Sequence, residues 1–229
     1  VGTGNYNEKT TKIYTDFSII TSDKTIGVDA DKFFKNMAIS NLEGKYEKLW
    51  IAPVGFKQNV LKCIDEEIEK AKRGEEGVIT IKCNSFTDKE VMKALITASK
   101  NNVKVNLIVR GICCLIPGIE GLTENIRVVS IVGRFLEHSR IYSFGKGGER
   151  KLYISSGDMM TRNTENRVEI CCPIEDEMIR EKINIIIDII LRDNVKSREL
   201  TCDGIYRYKK DGEYEINSQE VFMRESVTF

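Results

Sequence analysis

Residues 49–109 alternate between strand-like and helix-like patterns, and this alternation restricts the fold more than any other feature of the sequence. In order, the segments are LWIAP, a helical stretch at 55–73, VITIKC, a helical stretch at 87–99, and VKVNLIV. Strands that are separated by helices usually join through right-handed crossovers and lie parallel. We therefore predict an α/β fold with a mixed, largely parallel sheet that is flanked by helices.

Local signals indicate the ends of the predicted helices. Gly74 is typical of the residue that follows a helix, and the sequence TDKE has the form of a capping box with Thr87 as the cap. A third helix is predicted over residues 175–194, where isoleucines recur at helical spacing and indicate a core face. The tail should hold a small hairpin with a turn at residues 210–212, followed by a helix that begins at Asn217.

The first part of the chain predicts one short helix, over residues 29–40, with Asp29 or Asp31 near its start and Phe33 and Phe34 on one side. Acidic side chains are favoured in the first turn of a helix because they balance its dipole. The segment that follows this helix is polar and is typical of a linker.

The polar linker at residues 41–48 divides the chain. A chain of 229 residues, of which 41% are hydrophobic, can bury a substantial core. We predict that residues 1–47 are the incomplete tail of a preceding domain and that residues 48–229 form a further domain. The sequence starts abruptly, as though after a strand, and we interpret it as a fragment.

The only histidine, His138, lies in the alternating run HSRIYSF. Side chains two apart in a strand share a face, so His138 and Arg140 should point the same way. The turn GKGGE then returns the chain through KLYIS, and the hairpin should bring Ser155, Ser156 and Asp158 close to His138. Such a group of side chains suits an anionic phosphoryl group better than an apolar ligand. An ordinary surface histidine is the alternative.

Charge gives no general attraction to a polyanion, because 35 basic and 35 acidic residues balance. The sequence therefore predicts no nucleic-acid partner and no general attraction to an anionic membrane, and any polyanion must meet a local cluster of cations. One candidate cluster comprises Arg127, Arg134, Arg140, Lys146, Arg150, Lys151, Arg162 and Arg167. A solvated face is the alternative for most of them.

The seven cysteines lie mostly in apolar runs and form no CxxC pair. They are typical of reduced core cysteines in a cytoplasmic protein. No stretch approaches the roughly 20 apolar residues of a membrane span, and no signal-peptide pattern is present.

The segment around His138 resembles the second histidine motif of the bacterial polyphosphate kinases, which belong to the phospholipase D-like superfamily of paired HxK motifs. Here the motif reads HSR, with Arg140 where other members of the superfamily carry lysine. The resemblance extends through GTGNYNEKTTKIYTD, LIVRGICCLIPGIEGLTENIRV and YISSGDMMTRN, and it covers nearly the whole chain. It implies a phospholipase D-like α/β fold.

The resemblance also implies an activity. Polyphosphate kinases reversibly move the terminal phosphate of ATP onto inorganic polyphosphate through a phosphohistidine. By resemblance, Tyr14, Arg110 and His138 match ATP-binding positions, and Arg140 and Arg167 are possible phosphate contacts. The implied ligands are ATP or ADP and inorganic polyphosphate, with Mg²⁺ accompanying ATP although no carboxylate cage is evident in the sequence. A homo-oligomer is expected for the full-length enzyme.

One departure from the family pattern affects catalysis. The histidine that becomes phosphorylated lies in an HxK motif upstream of GTGNYN, and this sequence holds only the second motif. His138 is then expected to act as a general acid or base, or to stabilise charge on the transferring group, and the isolated chain is expected to be inactive. Gly157 and Met159, where relatives often carry alanine and tryptophan, should alter packing more than chemistry.

Two other classes of function are left open by the sequence. A phosphodiesterase of the phospholipase D type also uses a histidine pair, but Arg140 in the lysine position and the GTGNYN and LIVRG strings disfavour it. A non-catalytic module that binds polyphosphate or nucleotide is the other alternative.

Overall fold

The computed structural model describes residues 1–210, 212 and 214–225. The helices are α1 (Glu8–Thr11), α2 (Lys24–Ala38), α3 (Phe56–Lys72), α4 (Lys89–Lys100), α5 (Thr161–Glu165), α6 (Glu177–Arg192) and α7 (Ser218–Glu225), with a 3-10 turn at Gly147–Glu149. The strands are β1 (Tyr14–Thr15), β2 (Trp50–Ile51), β3 (Val78–Cys83), β4 (Lys104–Val109), β5 (Ile126–Ile131), β6 (Leu136–Glu137), β7 (Arg140–Phe144), β8 (Lys151–Ser155), β9 (Ile170–Pro173), β10 (Ser197–Leu200) and β11 (Tyr206–Tyr208).

Nine of these strands form one mixed sheet in the order β11-β10-β5-β4-β3-β7-β8-β9-β2, which confirms the predicted mixed α/β class. Only the neighbours β3, β4 and β5 run parallel, and the other six ladders of the sheet are antiparallel. The expectation of a largely parallel sheet is therefore corrected. One reason is that β7 and β8, and likewise β10 and β11, are joined by short turns at residues 145–150 and 201–205, and short connections produce antiparallel pairs.

The first predicted strand of the alternation occupies an unexpected place. β2 lies at the edge of the sheet, where Trp50 pairs with Cys171 of β9, and three strands separate it from β3. The parallel unit is therefore β3-α4-β4 followed by β5, and α3 crosses from the edge of the sheet to its centre.

Alternate residues of the central strands face two different cores. Ile79 and Ile81 of β3 join Phe56 and Leu95 in the core beneath α3 and α4. Thr80 and Lys82 of the same strand are also buried but carry polar atoms. This second face of the sheet therefore combines apolar packing with the polar groups that surround His138.

The second face is covered by α2, α6 and α7. Ile26 of α2 and Ile183 of α6 pack with Ile141 and Ile154 of the sheet, and Phe222 of α7 packs against a smaller cluster beside β4 and β5. The first 47 residues therefore pack directly on the sheet, and β1 pairs in parallel with β6.

Two predicted helix starts differ from the structure. Asp88 caps α4 by accepting hydrogen bonds from the backbone N–H groups of Glu90 and Val91, so Thr87 is not the cap. Asp23 caps α2, which begins at Lys24, several residues before the predicted start. Both aspartates accept from the free N–H groups of a first turn, as their residue type favours.

Phe33 and Phe34, which were predicted on one side of the same helix, differ in exposure. Phe33 is buried, but Phe34 is 70% exposed because it lies on the outer side of α2. All seven cysteines are free; Cys114 and Cys202 are exposed, so the prediction of core cysteines is wrong for these two. Met159 is fully buried, and a side chain at Gly157 would lie 2.9 Å from the Phe56 ring, so both positions affect packing.

The predicted hairpin of the tail is formed by β10 and β11. The turn expected at residues 210–212 includes Asp211, which lies outside the described residues. α7 begins at Ser218, one residue after the predicted start. Within the described part of the chain, no helix is long and apolar enough to cross a membrane.

Asp29 anchors the end of the linker to α2. Its buried carboxylate accepts hydrogen bonds from the backbone N–H groups of Glu47, Lys48 and Leu49, at 2.7 to 3.0 Å. Asp29 thus lies inside α2, which begins five residues earlier at Lys24, and it ties residues 47–49 to this helix. We call this contact the tether.

Asp29→Ala should lower the free energy of unfolding by about 2–4 kcal/mol, because three N–H groups lose a charged acceptor in a buried place. Urea unfolding measures the change. Asp31→Ala, on the same helix but with an exposed side chain paired only with Lys35, should leave the free energy of unfolding nearly unchanged. Equal effects for the two variants would contradict the tether.

Candidate active site

His138 lies between β6 and β7, so the strand predicted through HSRIYSF begins at Arg140 and not at His138. The backbone N–H groups of His138 and Ser139 both donate to the carbonyl of Thr15, at 3.3 and 2.8 Å. Because β1 pairs with β6, Tyr14 and Asp16 come to lie beside the imidazole although 122 residues separate Asp16 from His138.

Asp16 sets the orientation of the imidazole. The Nδ1 atom of His138 lies 2.9 and 3.1 Å from the two carboxylate oxygens of Asp16, so Nδ1 carries the hydrogen and donates it. The hydroxyl of Thr3 donates to the same carboxylate at 2.7 Å. Burial alone would raise the pKa of the Asp16 carboxyl, but the hydrogen bonds from His138 and Thr3 outweigh it and hold the pKa below 3.8.

The ring of Tyr14 packs against the imidazole of His138. The two ring centroids are 4.7 Å apart, with the ring planes inclined by 41°. An aromatic neighbour at this distance restricts rotation of the histidine ring. The imidazole is therefore held by a carboxylate at one nitrogen and by an aromatic face.

Arg140 meets His138 as the sequence predicted, but most of its guanidinium is engaged with the protein. Nη1 lies 3.1 Å from Nε2 of His138 and donates to the carbonyl of Thr3 at 2.9 Å. Nε donates to a carboxylate oxygen of Asp158 at 3.2 Å. Nη1 also lies 3.2 Å from Nδ1, so it is nearly equidistant from the two ring nitrogens and lies against the face of the imidazole instead of on the lone pair of Nε2. Arg140 is only 8% exposed, and through these contacts it holds Thr3, His138 and Asp158 together.

Asp158 links Arg140 to a second arginine. Its Oδ1 accepts from the backbone N–H of Asn84 at 2.7 Å, and the side-chain oxygen of Asn84 accepts from Nε of Arg110 at 2.6 Å. Burial lowers the pKa of the Arg110 guanidinium, and the nearby Asp158 carboxylate opposes that effect. Arg110 stands at the end of β4, where ligands commonly bind in α/β sheets.

A cavity of about 530 Å³ lies beside this group. Tyr14, Arg110 and Arg134 line it together with the segment 133–137. The structure therefore brings Tyr14 and Arg110 to one cavity from opposite ends of the sequence. A second, more apolar cavity of about 570 Å³ lies between β1, α6 and α7.

A buried ion pair supports the backbone beneath His138. The ammonium of Lys82 lies 3.2 Å from the carboxylate of Glu137 and donates to the hydroxyl and carbonyl oxygens of Ser139 at 2.8 and 3.0 Å. Burial lowers the pKa of Lys82, and Glu137 opposes this. Both residues that flank His138 are thus attached to β3.

Other predicted site residues do not join this group. Ser155 lies opposite Arg140 in the β7–β8 register, but its hydroxyl donates to the carbonyl of Ile170. The hydroxyl of Ser156 donates to Glu169. Arg167 is exposed and precedes β9 instead of lying within the strand. Of the predicted hairpin residues Ser155, Ser156 and Asp158, Asp158 is therefore the one whose side chain forms a hydrogen bond with Arg140.

The predicted cluster of basic residues is dispersed over the fold. Arg127 pairs with Glu199, Lys146 pairs with Glu76 in the loop before β3, and Lys151 pairs with Glu66 of α3. Arg134 and Arg140 alone of this set lie at the cavity or beside His138.

Sequence reasoning missed Asp16, Asn84, Lys82 and Glu137. Asp16 had a usable signal, since it stands two residues after Tyr14 in the string IYTD and therefore shares its side of an extended segment. Glu137 also had one, because it adjoins His138. The roles of Lys82 and Asn84 depend on which strands become neighbours, and no local pattern gives that.

Comparison with solved structures first gives the class of fold. Nuc from Salmonella typhimurium, described as a phospholipase D family member, matches with a TM-score of 0.50 and 14% identity over 67% of this chain and 97% of that one. At this identity the likeness concerns the fold alone. The sheet and its helices thus form a phospholipase D-like α/β fold.

The family follows from closer relatives. The model of polyphosphate kinase C-terminal domain 1 matches residues 1–43, and that of polyphosphate kinase C-terminal domain 2 matches residues 49–219. Polyphosphate kinase from Bacillus cereus is 50% identical over 220 residues, 96% of this chain and 31% of that protein. The enzyme from Staphylococcus epidermidis is 45% identical over 229 residues, covering 100% of this chain and 31% of that one.

The crystal structure of polyphosphate kinase from Porphyromonas gingivalis matches the whole chain with a TM-score of 0.93 and 36% identity, and the match covers 35% of that protein. The chain therefore belongs to the polyphosphate kinase family, as its sequence predicted. It spans about a third of the length of these relatives. The division at residues 47 and 48 stays a prediction, since both parts pack on one sheet.

Asp16→Asn should reduce stability at neutral pH more than at acidic pH. The pKa of the Asp16 carboxyl is lowered in the fold, so the charged form stabilises the fold at pH above the unfolded pKa, and this contribution is lost as the pH falls through the folded value. Urea unfolding of both proteins from pH 7 to about pH 3 measures it. A wild-type advantage that stays constant over this range would contradict the assigned contact.

Proposed function

We propose that this chain is the C-terminal catalytic part of a polyphosphate kinase that reversibly transfers the terminal phosphate of ATP to inorganic polyphosphate. The observation that carries the proposal is the placement of Tyr14 against His138 and, with Arg110, along one cavity. The proposed intermediate is a phosphohistidine whose histidine belongs to a segment preceding this sequence in full-length relatives.

The cavity offers the charge that a nucleotide requires. The guanidinium groups of Arg110 and Arg134 supply positive charge, and Tyr14 supplies an aromatic face. Arginine forms charge-assisted hydrogen bonds with phosphate oxygens, which are stronger than neutral ones. We propose that ATP or ADP binds here, with the phosphates directed toward His138.

His138 supplies either a proton or fixed charge to the transferring group. Asp16 holds a hydrogen on Nδ1, which leaves Nε2 as the nitrogen that takes up and returns a proton. A phosphoryl oxygen beside Nε2 accepts from the imidazolium form and also lies near Nη1 of Arg140, which is 3.1 Å from Nε2. The same arrangement therefore serves general acid–base catalysis and electrostatic stabilisation.

Magnesium is proposed to enter with the nucleotide. Among the described residues, no group of three or more His, Cys, Asp or Glu side chains is placed to hold a metal ion. The site residues do not form a magnesium cage, and the phosphate oxygens of ATP are the ligands available to it. No step of the proposed reaction is assigned to the ion.

We also propose a cytoplasmic location, a homo-oligomeric full-length enzyme and no nucleic-acid partner. The grounds are the cysteine usage, the family resemblance and the balanced charge of the sequence, in that order. Four of the seven cysteines are buried and all are free, which suits a reducing compartment.

A phosphodiesterase or a binding module remains the competing function, and assays of phosphodiester hydrolysis and of ATP binding without turnover separate them from phosphate transfer.

His138→Ala in the complete protein that contains these residues should lower ATP-dependent polyphosphate synthesis by about 10²–10⁴-fold. His138→Gln keeps a hydrogen-bonding group but exchanges no proton near neutral pH, and it should be nearly as damaged. Turnover and melting temperature are measured for both. Near-wild-type turnover in the His138→Gln variant would contradict a catalytic role for His138. In that case His138→Ala should lower the melting temperature.

Arg110→Ala should lower ATP affinity or turnover by at least about tenfold, because it removes a charge-assisted donor worth roughly 1.5–3 kcal/mol. Arg127→Ala is the matched control, since Arg127 pairs with Glu199 away from the cavity. ATP binding by calorimetry and steady-state rates are compared. Unchanged kinetics with reduced thermal stability in the Arg110 variant would make this arginine a structural residue.

A further inference from the structure

One wall of the proposed nucleotide cavity is the segment 133–137, which follows β5, includes β6 and leads directly into His138. It carries Arg134 to the cavity and ends at Glu137. The fold of this segment therefore decides where a second cation stands relative to Arg110.

The side-chain amide of Gln219, on α7, pairs with the main chain of this segment. Its Oε1 accepts from the N–H of Phe135 at 3.0 Å, and its Nε2 donates to the carbonyl of Phe135 at 2.9 Å. The amide thus satisfies both backbone groups of one residue, as the neighbouring strand of a sheet does. Phe135 adjoins Arg134.

The same amide also reaches the residue before His138. Nε2 of Gln219 donates to the carboxylate of Glu137 at 2.8 Å, while Lys82 and Thr15 contact the other oxygen of that carboxylate. Gln219 is only 4% exposed, so its three hydrogen bonds are formed in a buried place. A buried amide with these partners is costly to remove, because the partners lose their hydrogen bonds.

The segment itself is shaped to admit this contact. A Cβ atom at Gly133 would lie 2.4 Å from Oε1 of Gln219, closer than two such atoms can approach. Gly133 therefore leaves room for the amide. Both sides of the contact, the glycine and the glutamine, can be tested separately.

We propose that Gln219 is a positioning residue for the nucleotide site, and that the docking of α7 through this amide sets the affinity of the cavity for ATP. It acts through Phe135 and Glu137, which hold Arg134 and the approach to His138 in place. This inference rests on the proposed function, since it assigns ATP to the same cavity.

The test is Gln219→Leu in the complete protein, with ATP dissociation constants from calorimetry, the KM for ATP, kcat and melting temperature. Leucine fills a similar volume but forms none of the three hydrogen bonds. We expect the dissociation constant and KM to rise at least about fivefold, in line with the loss of a net hydrogen-bond contribution at the site, and kcat to fall by less.

Ser218→Ala is the matched control on the same helix. The hydroxyl of Ser218 donates to Asp193 at 2.7 Å and does not touch the segment 133–137. It should lower the melting temperature without changing ATP affinity. Gly133→Ala, which crowds the amide from the opposite side, should reproduce the affinity loss and serves where the leucine variant does not fold.

The outcomes separate this inference from the proposed function. Loss of ATP affinity in the Gln219 or Gly133 variants, with the Ser218 variant unaffected, supports the positioning role. Lowered melting temperatures with unchanged ATP affinity, or equal affinity losses in all three variants, would overturn it. Failure of the wild-type protein to bind ATP would instead overturn the proposed function, and this inference with it.

Discussion

The buried pair formed by Lys82 and Glu137 is the interaction on which the site depends. Burying two charges costs more free energy than their attraction returns, unless further hydrogen bonds satisfy both groups. Here the hydroxyl of Ser139 accepts from Lys82 and the amide of Gln219 donates to Glu137, each at 2.8 Å. The hydrogen bonds of the pair are therefore complete only when β3, β6, Ser139 and α7 are all in place.

The site also takes side chains from segments that are far apart in the sequence. Thr3 and Asp16 come from the first 16 residues, and both contact the His138–Arg140 group through hydrogen bonds. The start of the chain is therefore part of the site. Gln219 contributes from the other end.

The sequence predicted those features that arise locally. Alternation of residue types along β3 and β4 gave the α/β class, and period-two spacing placed His138 and Arg140 together. It did not predict that β7 pairs antiparallel with β3, because that depends on the docking of a later hairpin on an earlier strand. Lys82 could not be recognised for the same reason, since a lysine in a buried strand has no local partner. Tyr14 and Arg110 were predicted only through family resemblance.

The arginine at position 140 has a physical reason in this fold. Its Nε donates to Asp158, while its Nη1 reaches both Thr3 and His138. These partners lie in different directions, and a planar guanidinium with five donors can meet them together. The single nitrogen of lysine cannot span the same partners from one position. Arg140 is thus bound to the scaffold, and the cations that line the cavity are Arg110 and Arg134. The charge needed to brace the histidine and the charge offered to a ligand are thereby assigned to different residues, so a ligand can bind at the cavity without taking apart the contacts that orient the imidazole.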